Sequence, residues 1–325
     1  MSDKVFITGG AGFVGCAVSR HLLDLGHEVA LYDSFLNYVF PLDKIHLDNL
    51  MNRLATVEND VKVYRGSTEN QDCMRRAIMD FKPNRIIHLA AMPLANLAVD
   101  HPEEAVQSIV MGTLNLLHIA RDLPQLDRLV YVSSSMVYGD FPNRPVQEDD
   151  AKDPKEVYGS MKLSGELMIR AFSRLFGLQS TVIRPSAVYG PTDNNRRVLG
   201  IFLENALTGK PLIVKGRGHA LDFTFVGDSA AGIASAALHE KAAGKAYNIT
   251  RGRGRTIYDA AQIVAKLVPG TEVIEAPADP RMPVRGGLDV SLAKSEIGFN
   301  PQVDLEEGLA QYHAYLQDQR QRGVW

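Results

Sequence analysis

The sequence predicts an α/β fold in which a doubly wound parallel sheet is followed by a smaller C-terminal domain. Two observations carry this prediction. In the first half of the 325-residue chain, short β-branched runs alternate with helical patterns, which is typical of a parallel sheet with helices on both faces. The first of these runs leads into a glycine-rich turn that opens a helix, as in doubly wound sheets that bind nucleotides.

The expected strands are short apolar runs, at residues 4–8, 28–33, 61–65, 85–89, 128–133 and 179–184. The helical patterns between them cover residues 12–25, 71–81, 102–122 and 157–176. Beyond residue 184, Gly, Pro and Arg become frequent and the patterns shorten. We therefore expect a nucleotide-binding domain at 1–183 and a mainly substrate-binding domain at 184–325 that interdigitates with it.

The composition excludes several classes of protein. Apolar residues make up 45% of the chain and charged residues 22%, which is a globular rather than a disordered composition. The net charge of −3 gives no electrostatic reason to bind nucleic acid or an anionic membrane. The N-terminus lacks a secretory pattern, and no long apolar stretch predicts a membrane span. Cys16 and Cys73 suggest neither a disulfide framework nor a metal site, so we expect small-molecule partners and a reducing cytoplasm.

The turn after the first strand has the glycine spacing of a dinucleotide site. Gly9 permits the tight turn, Gly12 lets a pyrophosphate approach the backbone, and Gly15 allows close contact between helix and strand. The helix N-terminus supplies free N–H donors for the phosphates. Asp33 ends the second strand, where a carboxylate binds the ribose hydroxyls and repels a 2′-phosphate. The sequence therefore predicts NAD rather than NADP as the cofactor.

A candidate catalytic pair lies at the start of the fourth helical pattern. Tyr158 and Lys162 are four residues apart and so share one face of a helix. A nearby ammonium and an oxidised nicotinamide both favour the phenolate, which makes the pair suited to deprotonating a hydroxyl. Three serines, at 133–135, follow the fifth strand at the edge where such sheets bind ligands, and one of them is placed to hold the reacting oxygen.

With these motifs the chain resembles the NAD-dependent sugar epimerase/dehydratase branch of the extended short-chain dehydrogenase/reductase superfamily. The resemblance covers nearly the whole chain and rests on TGGAGFVG at 8–15, Asp33, HLAA at 88–91, SSSMVYG at 133–139, YGSMK at 158–162, RPSAVYGP at 184–191 and LDFTFVGD at 221–228. It implies a Rossmann sheet and a catalytic trio of Ser134, Tyr158 and Lys162.

The resemblance also implies binding residues and an assembly. Besides the glycines, Asp33 and the Tyr/Lys pair, the expected cofactor contacts are Phe13, Val14, Ser67, Leu89, Ala90, Ala91 and Pro185. Ser135 and Met136 are expected to contact the substrate, and His88 to have a structural role. In relatives, the helices that correspond to 102–122 and 157–176 pair across a two-fold axis, so a homodimer is expected.

Departures from the family pattern reduce the number of reactions that we expect of this chain. Dehydratases of this family carry Asp-Glu after the catalytic residue, and Ser135 and Met136 occupy those positions here. Without an acid to drive loss of water, the leading hypothesis is epimerisation at C4 of a nucleotide-activated sugar. A sugar dehydrogenase or 4-ketoreductase that uses the same trio is the alternative.

Two usual diphosphate contacts are also missing, because Ala187 and Leu221 stand where relatives often have Asn and Arg. Arginines elsewhere are expected to compensate, since guanidinium groups bind phosphate well, and the candidates are Arg196, Arg197, Arg217, Arg281 and Arg285. We expect mainly Arg281, Arg285 and Arg217 to neutralise the charge of the diphosphate. A substrate without a diphosphate, a free sugar or sugar acid, remains the other interpretation of the missing contacts.

Overall fold

The predicted apolar runs form strands of one parallel sheet. The computed structural model describes residues 2–36, 43–280 and 282–325. In these ranges the strands are β1 Lys4–Thr8, β2 Glu28–Asp33, β3 Val61–Arg65, β4 Arg85–His88, β5 Arg128–Val132, β6 Ser180–Pro185, β7 Val188–Tyr189, β8 Leu212–Lys215, β9 Ala220–Leu221, β10 Thr224–Phe225, β11 Ala246–Ile249, β12 Arg255–Thr256 and β13 Val273–Ala276. Every residue of β5 is buried, as expected for a strand covered on both faces.

The helices of the same ranges are α1 Phe13–Asp24, α2 Lys44–Ala55, α3 Gln71–Phe81, α4 Ala95–Asp100, α5 Pro102–Ala105, α6 Gly112–Ala120, α7 Val157–Phe176, α8 Val198–Leu207, α9 Val226–Leu238, α10 Ile257–Leu267, α11 Ser291–Ile297 and α12 Leu305–Gln321. A π-helical turn, Val106–Met111, joins α5 to α6. Short 3₁₀ turns cover Ser135–Tyr138 and Glu240–Ala242. No helix in these ranges is long and apolar enough to cross a membrane.

The described part of the sheet has seven parallel strands in the order β3-β2-β1-β4-β5-β6-β11. The order reverses between β1 and β4, so a crevice opens there at the carboxyl ends of the strands. The predicted doubly wound α/β fold is confirmed. The sequence predicted six of these strands, with bounds that differ by a residue at three of them.

Two apolar layers cover the sheet. On one face, Leu22 of α1 and Ile233 of α9 pack against the strands. On the other face, Ile78 of α3, Leu116 of α6 and Ile169 of α7 form the second layer. Because α9 and β11 come from beyond residue 184, the chain returns to the sheet after leaving it. The boundary predicted near residue 184 thus separates most, but not all, of the residues that pack on the sheet.

The rest of the C-terminal half forms a smaller unit with its own core. Leu203 of α8, Val264 of α10 and Leu309 of α12 are fully buried in it. It also contains short strand pairs, β8 with β13 and β9 with β12, and Leu212 and Val214 of β8 are buried in its core. This unit stands beside the carboxyl edge of the sheet and supplies the second wall of the cleft described below.

Candidate active site

A cleft of about 850 Å³ lies along the carboxyl edge of the central sheet. Its walls come from both halves of the chain: the glycine-rich turn and the ends of β4 and β5 form one side, and residues 194–199 with Leu221 and Phe223 form part of the other. Ligand sites of doubly wound sheets occur at this position because loops diverge there.

The glycine-rich turn has the geometry of a phosphate cradle. Gly9 has a φ of +72°, and a Cβ there would lie 2.7 Å from the backbone nitrogen of Ala90. A Cβ on Gly15 would lie 2.2 Å from the carbonyl oxygen of Gly9, so the helix packs directly against the turn. Gly12 precedes α1 and offers no side chain to cap its free N–H groups. These donors are therefore left for a ligand, and the turn fits the pyrophosphate of NAD.

Asp33 is fixed beside this turn. One of its carboxylate oxygens accepts a hydrogen bond from the backbone nitrogen of Ala11 at 3.0 Å, and the other accepts from the nitrogen of Phe35 at 2.7 Å. Burial raises the pKa of Asp33, while these two hydrogen bonds and the charge of Arg53 oppose the shift. The side chain lines the cleft at the end of β2 with lone pairs to spare for ribose hydroxyls.

The remaining predicted cofactor residues all line the cleft. They are Phe13, Val14, Ser67, Leu89, Ala90, Ala91 and Pro185. Together with the glycine turn and Asp33 they line the cleft across the ends of β1, β2, β4 and β6.

The predicted trio lies at the other end of the cleft. Lys162 is 3% exposed, and its Nζ donates to the carbonyl oxygen of Val132 at 2.9 Å. The Oγ of Ser134 accepts from the nitrogen of Met136, so its own hydrogen is left for another acceptor. The hydroxyl of Tyr158 has no hydrogen-bond partner among the described residues, while its backbone nitrogen is held by the Glu156 carboxylate that caps α7. All three side chains line the cleft.

The protonation of the trio is set mainly by burial. Desolvation raises the pKa of Tyr158 to about 12 and lowers that of Lys162 to about 8. Arg197 lowers the pKa of Tyr158, and Glu156 raises it. The Nζ of Lys162 lies 5.9 Å from the centre of the Tyr158 ring. A cation from the C-terminal half therefore acts on the phenol, which the sequence did not predict.

A buried ionic network supports the serine-bearing segment. Glu166 of α7 and Arg184 of β6, each 2% exposed, form an ion pair at 2.7 Å. Glu166 also accepts from the hydroxyl of Ser133 at 2.6 Å. Arg184 further donates to the hydroxyl of Tyr138, whose own hydrogen goes to Asn248 of β11. The network joins α7 to three neighbouring strand ends and so fixes the backbone on either side of Ser134.

His88 lies under this surface rather than on it. It is 1% exposed, and its ring nitrogens contact the hydroxyls of Thr8 at 2.7 Å and Thr113 at 3.1 Å. Burial and the charge of Lys162 lower its pKa to about 3, so the ring is neutral. These contacts agree with the structural role predicted for it.

Comparison with known proteins places the chain in one family. The model of the NAD dependent epimerase/dehydratase family matches residues 5–250, well over half of the chain. The chain belongs to this family. The UDP-glucuronate 4-epimerase 4 of Arabidopsis thaliana is 28% identical over 328 residues, covering 95% of this chain and 74% of the relative. The dTDP-glucose 4,6-dehydratase of Salmonella typhimurium is 28% identical over 334 residues, covering 94% and 90%.

Solved structures show the same likeness. A UDP-glucose 4-epimerase of Thermus thermophilus, solved with NAD, has a TM-score of 0.85 and 27% identity, covering 97% of this chain and 99% of that one. A Thermotoga maritima UDP-glucose 4-epimerase with UDP-glucose has a TM-score of 0.87 and 26% identity, covering 98% and 99%. The predicted family, its NAD dependence and its sugar epimerase character are confirmed.

Within this epimerase/dehydratase fold, the predicted arginines divide into two groups. Arg196, Arg197 and Arg285 line the cleft. Arg217 does not: its guanidinium stacks 3.9 Å from the centre of the Tyr258 ring and pairs with Glu275 at 2.5 Å on the surface. That exposed pair already satisfies its charge, so the substrate contact expected of Arg217 is not found. Arg281 lies outside the described residues.

Other predicted and unpredicted residues complete the site. Ser135 and Met136 line the cleft beside Ser134, and their contact with the substrate stays a prediction. Arg53 of α2 was missed: its Nε donates to the carbonyl oxygen of Ala11 at 2.9 Å, and it lines the cleft near Asp33. We did not predict α2 as a helix from the sequence, although Asp43, whose side chain accepts from the nitrogen of His46, is a typical residue at the start of one.

The acidic residues of the cleft all lie at one end. Among the described residues that line it, the carboxylates are Asp33, the last residue of β2, and Glu69, which follows β3, so both lie on the β2–β3 side of the sheet. Neither lies beside the Ser134, Tyr158 and Lys162 end. A hydroxyl that binds there thus meets a phenol, an ammonium and serine hydroxyls, but no carboxylic acid of the described cleft lining.

Proposed function

We propose that the protein is an NAD-dependent epimerase that inverts C4 of a nucleotide-activated sugar. One observation carries the proposal: Ser134, Tyr158 and Lys162 line one end of the cleft, and no described carboxylate lines the cleft beside them. This arrangement supports removal and return of a proton at a sugar hydroxyl. It offers no acid for a subsequent loss of water, which supports an epimerase over a dehydratase.

The three side chains have complementary roles in this proposal. Tyr158 takes the proton of the sugar hydroxyl and later returns it. Ser134 uses its free O–H group to hold the same oxygen, and Lys162 keeps a positive charge near the phenolate and reaches the nicotinamide ribose. Bound NAD supplies a reversible hydride acceptor and, when oxidised, a further positive charge that favours the phenolate. Arg197 adds to that charge from the opposite wall.

The nucleotide is proposed to lie along the C-terminal wall, which makes the second half of the chain the substrate-binding part. Arg196 and Arg197 line this wall, and a diphosphate requires such charges. Arg197 also pairs with Asp193 at 3.2 Å, whereas Arg196 forms no ion pair with the described residues. The two arginines replace the contacts that Ala187 and Leu221 do not make. Ala187 and Leu221 still line the cleft, so only the polar contacts of their side chains are missing and the space for a diphosphate is present.

The proposal is tested by incubating the protein and NAD with UDP-, dTDP-, GDP- and CDP-hexoses, and by following C4 configuration by NMR. We expect one pair of epimers to equilibrate with no net change in absorbance at 340 nm, because an epimerase regenerates its cofactor. Steady accumulation of NADH would instead show a dehydrogenase. Failure of all four nucleoside diphosphates to bind at millimolar concentration would contradict a nucleotide-sugar substrate.

We further propose a homodimer formed by the π-helical turn with α6 and by α7. Large apolar side chains on and next to these helices are exposed, among them Val99 (56%), Val106 (38%), Met111 (37%) and Leu167 (53%). A second copy of the chain would cover them. Light scattering should give twice the chain mass of 35.7 kDa, and Val106→Asp with Leu167→Asp should give the monomer. Leu25→Asp, at an exposed position at the end of α1, is the control.

A cytoplasmic location is also proposed. Cys16 is buried, Cys73 is partly exposed, and both are free thiols, which suits a reducing compartment. Fractionation of the source cells with an antibody to the protein tests the location, and recovery outside the cytoplasm would contradict it.

A further inference from the structure

Arg285 reaches into the cleft from the segment between β13 and α11. Its Nη2 donates to the hydroxyl oxygen of Ser135 at 2.5 Å and to that of Ser186 at 3.0 Å. Ser135 directly follows Ser134, and Ser186 directly follows Pro185 at the end of β6. The guanidinium thus lies at the end of the cleft that holds the trio, where the sugar reacts.

The three groups together present hydrogen-bond donors. Arginine can only donate, so both serine oxygens accept from Arg285 and their own hydrogens point elsewhere. Ser135 is fully buried and Ser186 is 3% exposed, yet neither hydroxyl donates to any group in the described ranges. Buried hydroxyls normally have an acceptor. This cluster therefore lacks an acceptor that a ligand would supply.

The guanidinium of Arg285 lies 5.8 Å from the centre of the Phe141 ring but has no ion-pair partner among the described residues. Its Nε is buried without a hydrogen-bond partner. The charges of two acids, Glu156 and Asp222, act on Arg285, but both carboxylates bind other groups. Glu156 caps α7, and Asp222 accepts hydrogen bonds from the nitrogen of Leu288 and the hydroxyl of Thr250. Burial lowers the pKa of Arg285 to about 10, because desolvation disfavours the cation, while the charges of Glu156 and Asp222 oppose this shift. An anion in the bound state would offset this desolvation.

We propose that Arg285, Ser135 and Ser186 bind a carboxylate on the sugar ring, so that the substrate is a nucleotide-activated sugar acid. This inference rests on the proposed function and names its substrate class. A carboxylate offers two oxygens to this set of donors, whereas a sugar hydroxyl offers one and leaves the charge unpaired. The diphosphate has Arg196 and Arg197 on the other wall. From the sequence we expected Arg285 to bind the diphosphate, whereas this proposal has it bind the sugar.

The test compares matched ligands on the NAD-loaded protein by isothermal titration calorimetry. UDP-glucuronate should bind about tenfold or more tightly than UDP-glucose, because hydrogen bonds to charged groups are stronger than neutral ones. Arg285→Gln should weaken UDP-glucuronate by about tenfold to a hundredfold while leaving UDP and UDP-glucose nearly unchanged. Arg285→Lys keeps the charge without the planar fork and should lose less. Arg144→Gln, an exposed arginine paired with Asp150, is the matched control.

The outcomes separate this inference from the proposed function. If Arg285→Gln weakened the binding of UDP, UDP-glucose and UDP-glucuronate equally, Arg285 would bind the diphosphate, and the proposed carboxylate site would be overturned. The pair glucuronic acid 1-phosphate and glucose 1-phosphate contains no nucleotide. A preference for the acid in that pair, lost in Arg285→Gln, supports the carboxylate site even if no nucleotide binds. Absence of the preference in both pairs overturns it. The melting temperature and the NAD affinity of each variant show whether it is folded. If Arg285→Gln does not fold, the same comparisons are made with Arg285→Lys.

Discussion

The hydroxyl of Tyr158 is the group whose removal tests the chemistry most directly. It has no partner among the described residues, so Tyr158→Phe deletes one oxygen without breaking a hydrogen bond of the fold. We expect turnover to fall by about two to four orders of magnitude, the usual contribution of a general base, while NAD affinity and melting temperature stay close to the wild-type values. Tyr64→Phe, which removes a hydroxyl that binds Asp80 outside the cleft, is the control. A Tyr158→Phe enzyme with near-normal turnover would refute the mechanism.

We expect the choice between NAD and NADP to depend on a second residue, Asp33. Its carboxylate would repel a 2′-phosphate, while the guanidinium of Arg53, whose charge acts on Asp33, would attract one. Asp33→Ser removes the repulsion and leaves the cation, so the preference for NAD over NADP should fall by roughly tenfold or more. Fluorescence titration with both nucleotides measures the ratio. Asp60→Ser, at an exposed aspartate paired with Arg20, should leave the ratio as it is. Wild-type protein that binds NADP as tightly as NAD would show that Asp33 does not select the cofactor.

At the scale of elements, the Glu166–Arg184 pair ties α7 to β6 beneath the serine segment. Both side chains are 2% exposed, so Arg184→Met leaves a buried carboxylate unpaired and should lower the free energy of unfolding by about 3–5 kcal/mol. The double variant Glu166→Gln, Arg184→Met should lose less than the single one, because it removes the unpaired charge. Lys62→Gln breaks an exposed pair with Asp80 and should lower the free energy of unfolding much less, because water screens exposed charges. Urea denaturation measures all three, and equal losses for the buried and exposed pairs would refute this account.

The elements that the sequence predicted are those with local signals. The strands of the first half have apolar runs bounded by turns, and α7 has a long amphipathic pattern ended by Gly177 in the left-handed conformation. We did not predict β11 from the sequence, because a run of four residues is too short to indicate a strand by itself. It forms a strand by pairing with β6, which lies about sixty residues earlier in the chain. The π-helical turn at 106–111 was predicted as ordinary helix, since its pattern does not differ from that of an α-helix.

At the scale of the whole molecule, the site combines residues whose partners are far apart in the chain. The motifs located Gly9, Asp33, Ser134, Tyr158 and Lys162, because each motif carries its own chemistry. They did not distinguish Arg285 from Arg217, which look alike in sequence. Only the fold shows that Arg285 meets Ser135 across 150 residues while Arg217 meets Glu275 on the surface. Substrate contacts drawn from loops of the second half are therefore the part of the site that sequence predicts least well.

The stability of the whole molecule should depend on pH through His88, which joins β4 to α6 by way of Thr113 and to β1 by way of Thr8. Its pKa is about 3 in the folded chain and near 6.5 when unfolded. The unfolded chain therefore binds more protons between these values, so the contribution of His88 is complete above pH 6.5 and is lost as the pH falls toward 3. The loss should approach about 1.4 kcal/mol for each pH unit below 6.5. His88→Gln, which does not titrate, should be less stable than the wild type at pH 7.5, and the difference should shrink toward pH 5. Urea unfolding at both values measures it, and a constant difference would mean that His88 does not titrate on unfolding.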